Sequence, residues 1–183
     1  MTRIGVISDT HGVLPVEAYN TLADCDAIIH AGDICSPSIV AELETLAPVY
    51  AVRGNNDFNE YGSAVGRFAR PRIDGVRFLV AHYPQDVRVT FAGSGALAPG
   101  DPLPDVCIHG HTHIPEIVVG RDARPASLML CPGSPTRPRG GFPQTVAKIE
   151  VRAGRLLRAW VERTTPGAHA GEAILRHDFE LAK

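Results

Sequence analysis

Aromatic residues make up only 6% of the 183-residue chain, and no apolar run in it approaches the roughly 18 residues that a membrane-spanning helix needs. No membrane association is expected. Positive charge is not in excess either, with 18 Lys and Arg against 20 Asp and Glu and a formal charge of -2. Without a basic stripe to neutralise successive phosphates, polymeric nucleic acid is not expected as the main partner, although one local site can be positive on a near-neutral protein. The four cysteines, Cys25, Cys35, Cys107 and Cys131, form no CxxC pair and sit mostly in apolar stretches. That excludes a zinc ribbon and a disulfide frame and points to reduced, packed thiols. Met1 leads directly into a strand-like run without the charged, apolar and small-residue succession of a signal peptide, so a cytoplasmic protein is expected. What remains, 44% hydrophobic and 21% charged residues, suits a globular domain large enough to bury a core without staples.

Local patterns order that domain. Residues 3–8 (RIGVIS) form a β-branched run that ends in Asp9, Thr10 and Gly12, and Pro15 then opens VEAYNTLAD, whose apolar residues have helical spacing. Residues 26–31 repeat the pattern, with Gly32 and Asp33 after the strand and Ser36 and Pro37 as cap and first residue of a second helix. A third apolar run, VYAV from Val49, stops at RGNND. Strand and helix alternation implies a parallel sheet, with ligand sites outside the carboxyl ends of its strands. Beyond residue 63 the chain reads as β-rich: GRFARPRI and VRFLVAH flank the hairpin dipeptide Asp74-Gly75, strands follow at 106–108, 116–119 and 127–130, and 144–151 pairs with 156–162 across Ala153-Gly154. Residues 90–104, with three glycines and three prolines, read as a mobile surface loop. Residues 1–163 read as a single domain, and the tail, 164–183, has no period that places it.

Each strand end delivers metal-ligand chemistry: Asp9 and His11 after the first, Asp33 after the second, Asn55 after the third, His82 after VRFLVA, and His111 with His113 after VCIHG. The x-spaced pairs Asp9/His11 and His111/His113 can project two side chains from one turned or extended segment toward a common centre, and neighbouring glycines let backbone approach it. Oxygen and imidazole donors without thiolate suit Mn, Fe, Ni or Zn. His30 and His109 read as core or supporting residues, and His169 and His177 as solvated tail residues. Arg53 and Arg137 are candidates to hold a substrate phosphate in a fork. Asp57 is a candidate either to orient a ligand imidazole or to cap the local turn.

The ordered string DTH, GD, GNND, H and GHTH, followed by Pro132-Gly133-Ser134 and Arg137-Pro138-Arg139-Gly140, resembles the calcineurin-like metallophosphoesterase superfamily over residues 3–162. Its small bacterial and archaeal phosphodiesterase branch, related to the metal-poor metallophosphoesterase-like subunit of retromer, is the most similar in pattern. The resemblance implies an α/β fold, a sandwich of two mixed β-sheets flanked by helices. It also implies two divalent metal ions, manganese first and Ni, Fe or Zn otherwise, the first held by Asp9, His11, Asp33 and His113 and the second by Asn55, His82 and His111, with Asp33 bridging. The expected activity is hydrolysis of a small phosphodiester by a metal-bridging hydroxide. Asp33, Asn55, Asn56 and Asp57 are the catalytic candidates, and Asn56 joins the arginines as a substrate contact.

Two positions depart from the superfamily pattern. Asn56 stands where many members carry a histidine, and an amide donates a hydrogen bond but cannot give up a proton. Tyr83 stands where glycine commonly follows the metal-binding histidine, to narrow the mouth of the site or to anchor its loop. Two rival readings use the same residues: a phosphomonoesterase or nucleotide phosphatase, and a non-catalytic protein-binding module. An oligomer is left open.

Overall fold

The β-branched run at the N-terminus forms β1 (Thr2–Ile7), and the structure, a computed structural model, describes residues 1–89, 95–167 and 169–180. Helix α1 (Val16–Leu22) starts after Pro15, whose fixed φ suits a helix start, and returns the chain to β2 (Ala27–His30). Helix α2 (Pro37–Glu44) then leads to β3 (Val49–Ala51). These three strands are parallel, in the order β1-β2-β3, with Ile4 opposite Ala27 and Ile28 opposite Val49. Pro37 is the first residue of α2, but Ser36 does not cap it with its side chain; its hydroxyl pairs with Ser38 Oγ at 2.7 Å. Adjacent residues of β2 serve both faces: Ile29 enters the core between the sheets, whereas Ile28 packs with Leu22 and Leu43 of the helical layer. Covered on both sides, such a strand reads as a continuous apolar run rather than an alternation.

The second half supplies β4 (Phe68–Ala69), β5 (Arg72–Ile73), β6 (Val76–Ala81), β7 (Val106–Ile108), β8 (Glu116–Val119) and β9 (Leu128–Cys131). The segment GRFARPRI is two short strands and not one, because Pro71 interrupts it with no amide to donate. Asp74 and Gly75 make the β5-β6 turn at φ of 47° and 85°, as a two-residue hairpin requires. Strands β6, β7 and β9 are parallel, flanked by antiparallel β4, β5 and β8. A short helix, α3 (Pro84–Val87), follows β6. Of the loop expected over 90–104, residues 90–94 lie outside the described residues, and 95–104 carry no helix or strand.

The chain then returns to the first sheet with β10 (Thr145–Arg152), antiparallel to β1, and β11 (Arg155–Arg163), joined through Ala153 and Gly154. Within the segment that the sequence left unplaced, β12 (Ala173–Asp178) pairs with β11 and becomes the sheet edge. Two mixed sheets thus face one another across a core that includes Ile4, Val6, Ile29, Phe78, Val80, Ile108, Leu130 and Ile149. Each such fully buried side chain contributes about 1.5–3 kcal/mol, and this layer holds the strand ends of both sheets against each other. No helix of the described residues is long and apolar enough to cross a membrane.

Candidate metal centre

The loops after β1 and β2 are zipped together by backbone. Asp9 N donates to Gly32 O at 2.9 Å, His11 N to Asp33 O at 2.9 Å and Gly12 N to Ile34 O at 2.8 Å. Within them Asp9, His11, Asp33 and Cys35 have φ of 56°, 48°, 54° and 60°, and beyond β7 His111 and His113 have 67° and 59°. Left-handed backbone costs an L-residue on the order of 1–2 kcal/mol, and such strain gathers where a site needs it.

Two groups of donors result. The candidate ligand atoms of Asp9, His11 and His113 all lie within 4.8 Å of one another, as do those of Asp9, Asp33 and His82. In the first, His113 Nε2 is 3.2 Å from Asp9 Oδ1 and 3.3 Å from His11 Nε2. Asp9 belongs to both groups, and beside the second Asn55 Oδ1 lies 3.1 Å from both His82 Nε2 and His111 Nδ1. Asp33 spans them, with Oδ1 3.5 Å from His82 Nε2 and Oδ2 3.9 Å from His11 Nε2. Asp9, Asp33, His82 and His113 are buried, His11 and His111 half-buried, and Asn55 and Asn56 exposed, so the centre opens on the asparagine side.

The donors fit divalent cations. His113 Nδ1 donates to Arg137 O at 2.6 Å and His82 Nδ1 to Ala31 O at 2.8 Å, which leaves the Nε2 of each neutral ring as a bare lone pair. Those lone pairs face oxygens that are themselves acceptors: Asp9 Oδ1 in one group, Asn55 Oδ1 and Asp33 Oδ1 in the other. Acceptors repel unless a proton or a cation sits between them. Asp9 Oδ1 is buried with no hydrogen bond among the described residues. Backbone crowds in where glycine permits it: a Cβ on Gly54 would run into Asp33 Oδ1, and one on Gly110 into Ser8 Oγ. Burial works against the charge of Asp9, but His113 and His82 pull its carboxyl below the usual range. The carboxylate of Asp9, 3.2 Å away, in turn holds His113 above the ordinary histidine value, while burial lowers His11 and His111.

The remaining candidates take supporting places. Asp57 accepts from the amides of Ile34, Cys35 and Gly54, at 3.2, 2.7 and 2.7 Å, and from the Tyr61 hydroxyl; of its two possible roles it has the turn-capping one. Asn56 turns its side chain to Asp33. Arg53 lines a cleft beside His82, and Arg137 holds His113 through its backbone carbonyl while its side chain is exposed. His30 is buried and neutral, its pKa lowered to about 4 by burial, and bonds Thr10 Oγ1 at 3.0 Å; His109 lies 3.4 Å from Glu116. Neither joins a donor group. His169 is exposed beside Glu172, but His177 is half-buried against Phe179 on β12. Two residues that sequence reasoning did not assign are Ser134 and Thr136, whose hydroxyls donate to Asp9 O at 2.8 and 3.0 Å. Their x-spaced position after β9 was the available signal.

A family model, the calcineurin-like phosphoesterase superfamily domain, matches residues 2–154. The chain belongs to the calcineurin-like phosphoesterase superfamily. This calcineurin-like phosphoesterase is 40% identical over 174 residues to a probable metallophosphoesterase of Methanothermobacter thermautotrophicus, covering 88% of this chain and 92% of that protein. Among solved structures, an archaeal protein described as a novel phosphodiesterase matches with a TM-score of 0.64 and 28% identity over 87% of this chain and 99% of its own. Vps29 of Entamoeba histolytica, solved in complex with zinc, matches with a TM-score of 0.71 over 97% and 99% of the two chains; at 21% identity it shares the fold. Calcineurin-like phosphoesterases bind divalent metals, and the two donor groups are where this chain presents suitable ligands.

Proposed function

We propose that the chain is a dinuclear metal-dependent phosphodiesterase acting on small phosphate esters. The observation that carries the reading is the placement of Asp33, one carboxylate oxygen toward His11 and the other toward His82. Asp9, His11, Asp33 and His113 hold the first ion and Asn55, His82 and His111 the second, with manganese as the resident metal. Bound divalent ions supply Lewis-acid charge and acidify water for in-line displacement at phosphorus. The carbonyls of Arg137 and Ala31 take the Nδ1 protons of His113 and His82 and so aim their Nε2 atoms inward. Asn55 is a neutral donor, so the carboxylates of Asp9 and Asp33 leave a pair of divalent ions in charge excess, which draws an anionic ester into the open, asparagine-lined side. Asn56 steadies Asp33, and Arg53 and Arg137 meet the phosphoryl oxygens. A diester is favoured over a monoester because Asp86 pairs with Arg67 in the cleft beside His82, so that guanidinium has no net charge to offer a dianion. The 28% identical archaeal phosphodiesterase supports the same choice.

The test is metal content together with turnover of paired nitrophenyl monoesters and diesters, with Mn, Ni, Zn and Mg each added to apoprotein. Two bound equivalents and a diester preference are expected. Full activity after chelation would refute the metal mechanism, and a monoester preference would refute the substrate class.

A further inference from the structure

The cleft beside the second donor group has a shape and a chemistry of its own. It holds about 220 Å³ and is lined by Arg53, Arg67, His82, Tyr83 and Asp86 among others. That is below the roughly 300–1,000 Å³ of sites for drug-sized ligands, room for one compact group rather than a polymer. Tyr83 forms one wall. Its ring centroid lies 5.3 Å from that of His82 and 4.5 Å from that of His111. It is half-buried, and its hydroxyl makes no hydrogen bond among the described residues, so the phenol is not tied down as a loop anchor. Arg67 brings an exposed guanidinium that pairs with an acid: its Nη2 donates to both oxygens of Asp86 at 3.0 Å, and it lies 5.1 Å from the Phe68 ring. Asp86 offsets its charge, leaving a flat, donor-rich surface. An aromatic face and a planar guanidinium favour a planar ring as occupant, through stacking and cation–π contact.

We propose that this cleft is a subsite for a planar ester substituent, an aryl or nucleobase-bearing group, and that Tyr83 is the residue that selects it. The proposal rests on the phosphoesterase reading of the adjoining centre, whose donors would seat the phosphoryl group.

The experiment titrates methylphosphonate and phenylphosphonate calorimetrically into Mn(II)-loaded wild type, Tyr83→Phe and Tyr83→Leu, with hydrolysis of a nitrophenyl diester by the wild type measured alongside. The wild type is expected to prefer the phenyl ligand by about tenfold, the size of one ring-stacking contact. Tyr83→Phe keeps the preference and Tyr83→Leu loses it, while methylphosphonate binds all three alike. A wild type without the preference, or a Leu variant that retains it, overturns the subsite. Turnover without a phenyl preference overturns the subsite alone. No turnover, with a phenyl preference that the Leu variant abolishes, upholds the subsite and overturns the phosphodiesterase reading.

Discussion

Asn56 holds both oxygens of the Asp33 carboxylate: its backbone amide donates to Oδ1 at 2.8 Å and its side-chain Nδ2 to Oδ2 at 2.6 Å. One residue thus aims the group that spans the two donor sets, and it does so with an amide that has no proton to give up.

Asn56→Ala takes one donor from a buried carboxylate. A buried acceptor that loses its partner costs about 1–3 kcal/mol, so chelated protein should lose that much in denaturant unfolding. Metal-loaded protein should lose less, since cations would satisfy the freed oxygen. Equal losses in both forms would show that Asp33 is not a ligand.

The same amide predicts a leaving-group dependence. General-acid help is typically worth roughly 10²- to 10⁴-fold, and Asn56 cannot supply it. Wild type should cleave diesters of nitrophenolate well and those with alkoxide-like leaving groups poorly. The check is kcat/KM against leaving-group pKa; a flat plot would mean that another group protonates the departing oxygen.

Asp33→Asn should nearly abolish hydrolysis, because in the proposed function its carboxylate serves both ions. Metal binding to the folded state raises stability by RT ln(1 + [L]/Kd), so wild type should show a metal-dependent rise in Tm. A variant that keeps the full rise contradicts the assignment of Asp33.

His111→Ala and His113→Ala should lose different ions, since His113 faces Asp9 and His11 whereas His111 faces Asn55. Metal titration should leave one tight equivalent in each variant. Two tight equivalents in both would refute the division into two groups.

The pairing of His113 with Asp9 fixes a sign for pH. His113 is raised, so in metal-free protein its contribution to stability is complete below the unfolded histidine pKa of about 6.5 and fades as pH rises through the higher folded value. Metal uptake runs the other way: it needs the imidazole unprotonated, weakens as pH falls below that raised value, and releases a proton. Calorimetry of Mn(II) binding in buffers of different ionisation enthalpy, at about pH 6.5, reads that proton directly, and its absence would count against His113 as a ligand.

Where the donors stand along the chain is written in local pattern. Strand period and turn chemistry are local, so runs such as RIGVIS and DAIIHA, Pro15 and Pro37 at helix starts, and Asp74-Gly75 at a hairpin could be read residue by residue, and the clusters at Asp9/His11, Asp33, Asn55, His82 and His111/His113 fell at their ends. What those donors meet depends on long-range packing. The contact between Asp9 and His113 joins residues 104 positions apart, which no local period encodes, and it forms because the apolar layer sets the ends of two sheets together. The same holds for Ser134 and Thr136 on the Asp9 carbonyl, for the turn-capping role of Asp57, and for the grip of Asn56 on Asp33. Strand β12 escaped the sequence for a related reason. Its residues are only half-buried or exposed on a sheet edge, so their pattern is faint, and their conformation is set by the open edge that β11 offers.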